Sequence, residues 1–530
     1  MSWHPAYRIS KFRHVYGKAA TKHHGYNGVP ITHSVHDNHY CSVNPRFVAI
    51  VTECSGGGAF LVLPIHHTGR VDPHQPKVCG HSARVLDVKW NPFDDLSIAS
   101  CSEDCTVKLW DIPAHGVHQD ITRPRKVLKG HTRRVSLLEW HPTARDILLS
   151  SAYDYKVMVW DVSLCESVLR TPVVVISLHS ELVLSMSFNT DGSSLATTSL
   201  DKRVRVINPR TGHLLQVSSI KHHRANKVVY VGDHNMLLST GISPWNQRQM
   251  VLWDGDDLSE PLLEEELDDA AGVLFPFYDR DTHLLYLAGK GDGNIRYYDI
   301  SCVKPYVQFL DEYRSILPQK GLGVMPKRGL DVSSCEVFRF YRLVTIKDLV
   351  EPLSMIVPRR SPEIFQEDIF PMTAGNEAAM TAQQWLSGLN RGPVLTSLRP
   401  GTKVANPYPA MPPRTGLARV DVQGLPGGPT EQAFLQEQVA YQNAKYPKEL
   451  ADLTGWQADE TQAPGWAYTP HCREPSECPP PRAENELLQV FYRQQEEISE
   501  LREQLHQSEV RITQLELEIK NTRNNMRDAF

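Results

Sequence analysis

Through residues 1–345 the chain alternates short runs of Val, Ile, Leu, Phe and Tyr with clusters of Gly, Asp, Asn and Ser. Runs that are β-branched and aromatic and bounded by turn residues predict short strands rather than helices. "RFVAIVTECSGGGAFLVLP", residues 46–64, reads as two strands around a turn at Gly56–Gly58. Residues 346–390 break this pattern. Their apolar positions are widely spaced among prolines, and their one helical signal is a capping box, Thr381 with Gln384, ahead of Trp385 and Leu386. This extension is expected to lie along the strand-rich part and bury those side chains. Residues 391–481 carry fifteen of the chain's 37 prolines, the composition of a variable linker.

Over residues 482–530 the period changes to seven. Phe491, Ile498, Leu505, Ile512, Ile519 and Met526 recur at one position of the heptad, and Leu487, Leu501 and Leu515 fall three later. A seam this narrow predicts an oligomerising coiled coil rather than a helix packed on a globular surface. Glu497 with Arg502, Arg511 with Glu516, and Glu518 with Arg523 stand at the flanking positions with opposite signs, which suits parallel chains in register. Isoleucine and leucine along the seam nominally favour two strands. "RITQLE", Arg511 to Glu516, is similar to the short trimerisation motif of three-stranded coils, which points to a homotrimer over a dimer or tetramer.

Within the strand-rich part the sequence repeats. "GHSARVLDVKW" to "SEDCTVKLWD" runs from Gly80 to Asp111, and "GHTRRVSLLEW" to "AYDYKVMVWD" from Gly130 to Asp161. His81 precedes Trp110, and His131 precedes Trp160, by 29 positions, with Asp104 and Asp154 six before each tryptophan. A third copy is eroded, with His179, Asp201 and Ile207, while a fourth ends at Trp253 and a fifth at Tyr298 with Asp292 six before it. The closing positions step by 50, 47, 46 and 45, matching the WD-repeat signature of four-stranded blades. In such repeats the histidine and aspartate bond to each other, and a hydroxyl relays to the tryptophan ring nitrogen. Ser102 and Ser199, two before their aspartates, are the expected relays, and Ala152 at that place leaves the second copy without one. Five copies, one blade before them and one after predict an all-β, seven-bladed propeller.

The glycines of "GKGDGNIRYYD", 289–299, raise the question of a nucleotide phosphate loop. A dinucleotide fingerprint would place its third glycine at Asn294 and open a helix, whereas "NIRYY" is strand-like. A hairpin turn beside Asp292 is the expectation, with positive φ supplied by glycine. Ten cysteines without C-x-x-C pairs, "HDNH" at 36–39 without the glutamate of a zinc protease, and adjacent histidines facing opposite ways on strands predict no metal and no cofactor. No nucleophile, base and orienter come together, so no enzyme is expected. A net charge of −5 carries no basic footprint for nucleic acid. The charged start "MSWHPAYRISKFRH" and the lack of an 18-residue apolar run predict an intracellular chain without membrane insertion.

The order of propeller, packed extension, linker and coil resembles the coronin family, and particular segments extend the resemblance. "SKFRHVYGK" (10–18), "SGGGAFLVLP" (55–64), "GVLFPFYD" (272–279), "GKGDGNIRYY" (289–298), "MPKRGLDVSSCEVFRFY" (325–341) and "TAQQWLSGLN" (381–390) are similar to its characteristic stretches. "VHDNH" and "ECPPPRAENELLQVFYRQQEEI" resemble the vertebrate type II branch, nearest its longer A form. The resemblance implies binding to actin filaments, a cytoplasmic, cytoskeleton-associated location with room for a nuclear pool, and other protein clients. A scaffold for signalling or nuclear complexes is the alternative. Type I coronins carry an arginine important for actin binding shortly after the "KFRHVYGK" segment, and the matching place here is Pro30. Lys11, Arg13, Lys18 and Lys22 are the nearby cations that could substitute, against the plainer reading of solvated charge.

Overall fold

The computed structural model describes residues 10–401 except 55–56, 219–222 and 363. The expected coil residues Ile498, Leu501, Leu505, Arg511, Ile512, Leu515, Glu516 and Ile519 lie outside the described residues, as does most of the linker.

Seven sheets form the propeller, antiparallel apart from the short parallel additions Val168–Leu169 and Gly69–Arg70. Blade 1 is built from Cys41–Val43, Phe47–Thr52, Gly58–Pro64 and Val78–His81, and blade 2 from Val85–Asn91, Asp94–Ser102, Val107–Asp111 and Lys126–Leu128. Blade 3 comprises Val135–Trp140, Ile147–Ala152, Val157–Asp161 and Val174–Ile176; blade 4 comprises Val183–Phe188, Leu195–Ser199, Val204–Ile207 and Leu214–Val217. Blade 5 runs Arg224–Val231, Met236–Ile242, Arg248–Asp254 and Pro261–Asp268, and blade 6 runs Leu274–Asp279, Leu284–Gly289, Ile295–Ile300 and Val307–Tyr313. In each blade the second strand is almost wholly buried, as in Phe47–Thr52 and Ile147–Ala152, because neighbouring blades cover both of its faces.

Blade 7 closes the ring with strands from both ends of the described chain. Gly321–Val324, Glu336–Val344 and Leu349–Ile356 are joined on the outside by Tyr16–Ala19 and Tyr26–Asn27, both antiparallel to Leu349–Ile356. The propeller therefore does not end at residue 345. Leu349–Ile356 was obscured in the sequence by Pro352, which removes a donor yet leaves a carbonyl that accepts from the Ala20 amide at 2.8 Å. The strand needs its N-terminal partner to complete its ladder, and local pattern does not reveal a partner more than 300 residues away.

Each copy of the sequence repeat straddles two blades, so its polar network is a joint between them. His81, at the end of blade 1, meets Asp104 in blade 2 through Nδ1 at 2.8 Å and Ser100 Oγ through Nε2 at 2.8 Å, and Trp110 Nε1 donates to the same hydroxyl at 2.8 Å. The relay is thus Ser100, four before the aspartate, and not Ser102. Ser102 instead donates to the Ala83 carbonyl and accepts from the Asp104 amide. The second copy has its hydroxyl as well: Ser150 bridges His131 and Trp160 at 2.8 Å each, so Ala152 leaves nothing missing. Alternation puts both Ser100 and Ser102 on one face of the strand, and only the one level with the tryptophan ring nitrogen can serve. Thr197 takes this place for His179, replacing Ser199, and Ser239 takes it for His223 and Trp253.

The remaining aspartates hold the joints differently. Asp201 is clamped by Arg205 at 2.6 and 3.0 Å rather than by His179, and Gln249 replaces an aspartate against His223 at 2.5 Å. Asp292 pairs across to Arg248 of blade 5 at 2.7 Å, and Arg248 also holds Asp268 at 2.6 Å. "GKGDGN" is a hairpin turn between strands, as the spacing predicts, but only Gly291 has positive φ (86°). Gly289 and Gly293 are needed for space: a Cβ there would lie 1.9 Å from Asp292 Oδ2 and 2.0 Å from the Ser315 carbonyl.

The extension crosses one face of the ring. Ile369 and Phe370 pack with Val337 and Phe340 of blade 7, and Thr381 caps the helix Ala382–Leu386 with Gln384 completing the box. That helix seats Trp385 between blades 3 and 4, fully buried, with the His141 ring 4.9 Å away and the Arg210 guanidinium 4.8 Å over the indole. The start of the expected linker belongs to this layer. Leu395–Thr396 pairs with Thr373–Ala374 and Val394 is buried, because the returning chain completes a two-stranded ladder there.

Two stability predictions follow from these joints. Asp104→Ala removes the acceptor for His81 and is expected to cost about 1–3 kcal/mol. Burial opposes the Asp104 charge, but its bonds to His81 and Thr106 outweigh this and hold its carboxyl well below the usual range. A depressed carboxylate contributes stability above its unfolded pKa and loses it as pH falls. The gap between wild-type and variant unfolding midpoints should therefore narrow from about pH 4 downward; a gap independent of pH would contradict the pairing. Trp385→Ala should leave a cavity costing about 3–5 kcal/mol and expose the stretch 375–395 to protease before the blades; unchanged proteolysis would show that the helix does not anchor the extension.

Candidate interaction surface

Blade topology sorts the loops into two faces. Loops joining the first and second strands of a blade, and the third and fourth, lie on one face, here called lower. The turns between second and third strands, and the connections from blade to blade, lie on the other, here called upper. The extension occupies the lower face: Ala379 and Met380 bond to Thr143 and Arg145, in the first loop of blade 3. The hairpin of Thr373–Ala374 and Leu395–Thr396 borders the lower mouth of a central cavity of about 820 Å³.

The upper mouth is closed by the stretch 35–39, which connects blade 7 to blade 1. Lys290 Nζ, from the glycine turn of blade 6, donates to the Val35 and His36 carbonyls at 3.0 and 2.9 Å and pairs with Asp37 at 2.6 Å. Asn38 Nδ2 donates to Leu86 and Ser136 carbonyls of blades 2 and 3, and Tyr153 meets His36 Nδ1 at 2.9 Å. Burial, with Arg134 close by, pushes the His36 pKa down. The stretch "VHDNH" bears on metal binding and on the family resemblance, and neither reading pointed to this clasp. The signal available was a lysine within a glycine turn, whose partner the sequence does not identify.

At the waist of the channel Lys89 pairs with Glu139 at 3.1 Å, burial pushes the Asp87 carboxyl up to about 6, and burial brings the Lys227 ammonium down to about 8. Among the described residues no group of three or more His, Cys, Asp or Glu is arranged to hold a metal ion, and no helix is long and apolar enough to cross a membrane.

The four N-terminal cations do not form one patch. They run along the outer edge of blade 7. Lys11 bonds to the Asp368 carbonyl of the extension, Arg13 is exposed, and Lys18 sits opposite Ser354 on the outermost strand. Lys22 alone approaches the upper side, where Asn27 bonds to its carbonyl and it borders a small cavity with Gly28 and Arg70. Pro30 is exposed on the blade 7 to blade 1 connection, so the structure separates it from Lys11 and Lys18.

Comparisons with known proteins agree with this architecture. Models of the WD domain, G-beta repeat, match residues 74–111, 122–161 and 170–208; a type of WD40 repeat matches 350–393, and a domain of unknown function matches 5–70. The chain is 57% identical to Coronin-2A of Homo sapiens over 536 residues, covering 99% of each chain. It is 55% identical to Coronin-2B of Mus musculus, covering 100% of this chain and 99% of that one. The crystal structure of the WD40 domain from Toxoplasma gondii coronin superposes with a TM-score of 0.68 at 27% identity, over 73% of this chain and 98% of that one. A seven-bladed WD-repeat ring closed by its own N-terminal strands, with end-to-end identity to such relatives, places the chain in the coronin family, in its type II branch.

Proposed function

We propose that this protein is a non-enzymatic regulator and scaffold that binds actin filaments, as the coronin family does, and works in the cytoplasm at the cytoskeleton. The observation that carries this reading is identity to coronins along 99% of the chain. The upper face supports it physically, since among the described residues the chain's own extension covers the lower face and leaves the flat upper one to a large partner. The domain plan in this reading is propeller with packed extension, then linker, then a coil at 482–530 that assembles parallel chains, three in number by the Arg511–Glu516 motif. Linked weak sites gain about 10²–10⁴ in apparent affinity when they engage one filament together. A scaffold with other principal clients is the second reading, favoured by one observation: an exposed Pro30 offers no cation where type I coronins have arginine.

Co-sedimentation of the full chain with actin filaments tests the first reading against the second. Deleting residues 484–530 should give monomers that pellet poorly, because each propeller keeps its site and loses its linked neighbours. A deletion product that stays oligomeric in sedimentation equilibrium would rule out the coil, and a monomer that pellets as well as the full chain would rule out avidity. Pro30→Arg should increase pelleting at low salt, with a gain that shrinks as ionic strength rises. Equal pelleting of variant and parent would remove position 30 from the mechanism.

A further inference from the structure

The upper face is not uniform. Trp245 sits at the tip of the second turn of blade 5 and is 80% exposed. The turn that presents it is stiff: the Ser243 amide donates to the Gln247 carbonyl at 2.8 Å, the Asn246 amide to the Ser243 carbonyl at 3.0 Å, and Gln247 to Asp269 at 2.7 Å. Asn246 takes the left-handed conformation the turn requires, at φ 63°. The indole is therefore held away from the protein, at a cost in exposed apolar area that folding does not recover. The equivalent turn of the adjacent blade 4 presents Leu200, 53% exposed.

Around these two apolar side chains exposed cations outnumber the exposed carboxylates, of which Asp269 accepts from Gln247 in the Trp245 turn and Glu181 lies on the segment bonded to the Leu200 turn. Lys202 and Arg203 follow Leu200 in its turn, and Arg224 faces Ile242 at the strand end leading into the Trp245 turn. All three are exposed, and among the described residues none makes an ion pair. The carboxylate in the same turn, Asp201, is spent on Arg205. Among the described residues these are three exposed cations without an ion pair, on adjoining blades of a chain whose net charge is −5.

We propose that the sector formed by Leu200, Lys202, Arg203, Arg224 and Trp245 is a docking site for an acidic protein surface, which in the reading above is that of the actin filament. The inference rests on that reading for the identity of the partner. Trp and Arg are the residue types that dominate binding at protein interfaces, since each combines large contact area with a polar handle and low ordering cost. The cations attract a negatively charged surface over about a Debye length, and Trp245 and Leu200 then exclude water at the centre. The backbone of the turn under Trp245 is already ordered by its hydrogen bonds, so little backbone freedom is lost on contact.

The test uses the full chain with actin filaments in co-sedimentation, comparing wild type with Trp245→Ala and with Lys202→Glu/Arg203→Glu. Both variants should unfold at the wild-type temperature, because the altered side chains are exposed and unpaired. Trp245→Ala should raise the half-saturating filament concentration about tenfold. The charge reversal should match it at low salt and approach wild type as salt rises. Vesicles of 80% phosphatidylcholine and 20% phosphatidylserine serve as the competing surface. Variants that pellet with filaments as wild type does overturn the proposal. So does a loss confined to vesicle binding, which would make the sector a membrane contact. Wild type failing to pellet with filaments overturns the underlying reading, whereas wild type pelleting alongside unaffected variants overturns this inference alone.

Discussion

The ring depends on how each blade is fastened to the next. A sheet flank of Val, Leu and Ile gives adhesion without direction, whereas a hydrogen-bonded joint fixes one register. Blades 1 to 5 are joined by histidines that reach from one blade to a hydroxyl in the next: His81 to Ser100, His131 to Ser150, His179 to Thr197 and His223 to Ser239. Arg248 takes over between blades 5 and 6. Between blades 6 and 7 a fully buried Arg342 binds Gln319 at 2.7 Å and Glu351 at 2.6 Å. At the seam from blade 7 to blade 1, Glu53 accepts from the Thr32 hydroxyl at 2.8 Å and the His33 amide at 2.7 Å. Burying any of these groups unpaired would be costly, so each joint tolerates only its own neighbour.

Closure of the ring by the N-terminal strands has a functional consequence. Because Tyr16–Ala19 and Tyr26–Asn27 complete blade 7, the chain must re-enter the ring through the stretch 28–40, and this stretch lies across the upper mouth. Lys290 and Asn38 hold it there. The C-terminal extension does the equivalent on the lower side, with Trp385 as its anchor between blades 3 and 4. Both ends of the propeller chain thus restrict the channel, and among the described residues the loop-rich upper surface is the face left uncovered.

That surface separates into regions of different character. Near blade 7 it carries Pro30 and Lys22, while over blades 4 and 5 it carries Trp245, Leu200 and unpaired cations. A face with an exposed indole on a hydrogen-bonded turn and, among the described residues, cations without an ion pair is suited to holding a partner. The waist of the channel, by contrast, already pairs Lys89 with Glu139.

The blade count and the hairpin character of "GKGDGN" were legible along the chain, because strand alternation and turn chemistry are local and repeat at a fixed period. The sequence also identified the capping box at Thr381 and three of the structural tryptophans, Trp110, Trp160 and Trp253. Tertiary structure alone decided which hydroxyl relays. Ser100 and Ser102 both stand at even offsets from Asp104, and only packing against Trp110 distinguishes them. It decided that Asp292 answers to Arg248 and Asp201 to Arg205, since a carboxylate's sequence position does not name its cation. It also decided that Leu349–Ile356 is a strand, paired along its length with Glu336–Val344 and at its far end with Tyr16–Ala19, and that the N-terminal cations are strung along an edge while Trp245 is exposed. Several of these contacts join residues far apart in the chain, and even the short-range ones, Asp201 with Arg205 and Ser100 with Trp110, are selected by how the blades pack around one another rather than by any local pattern.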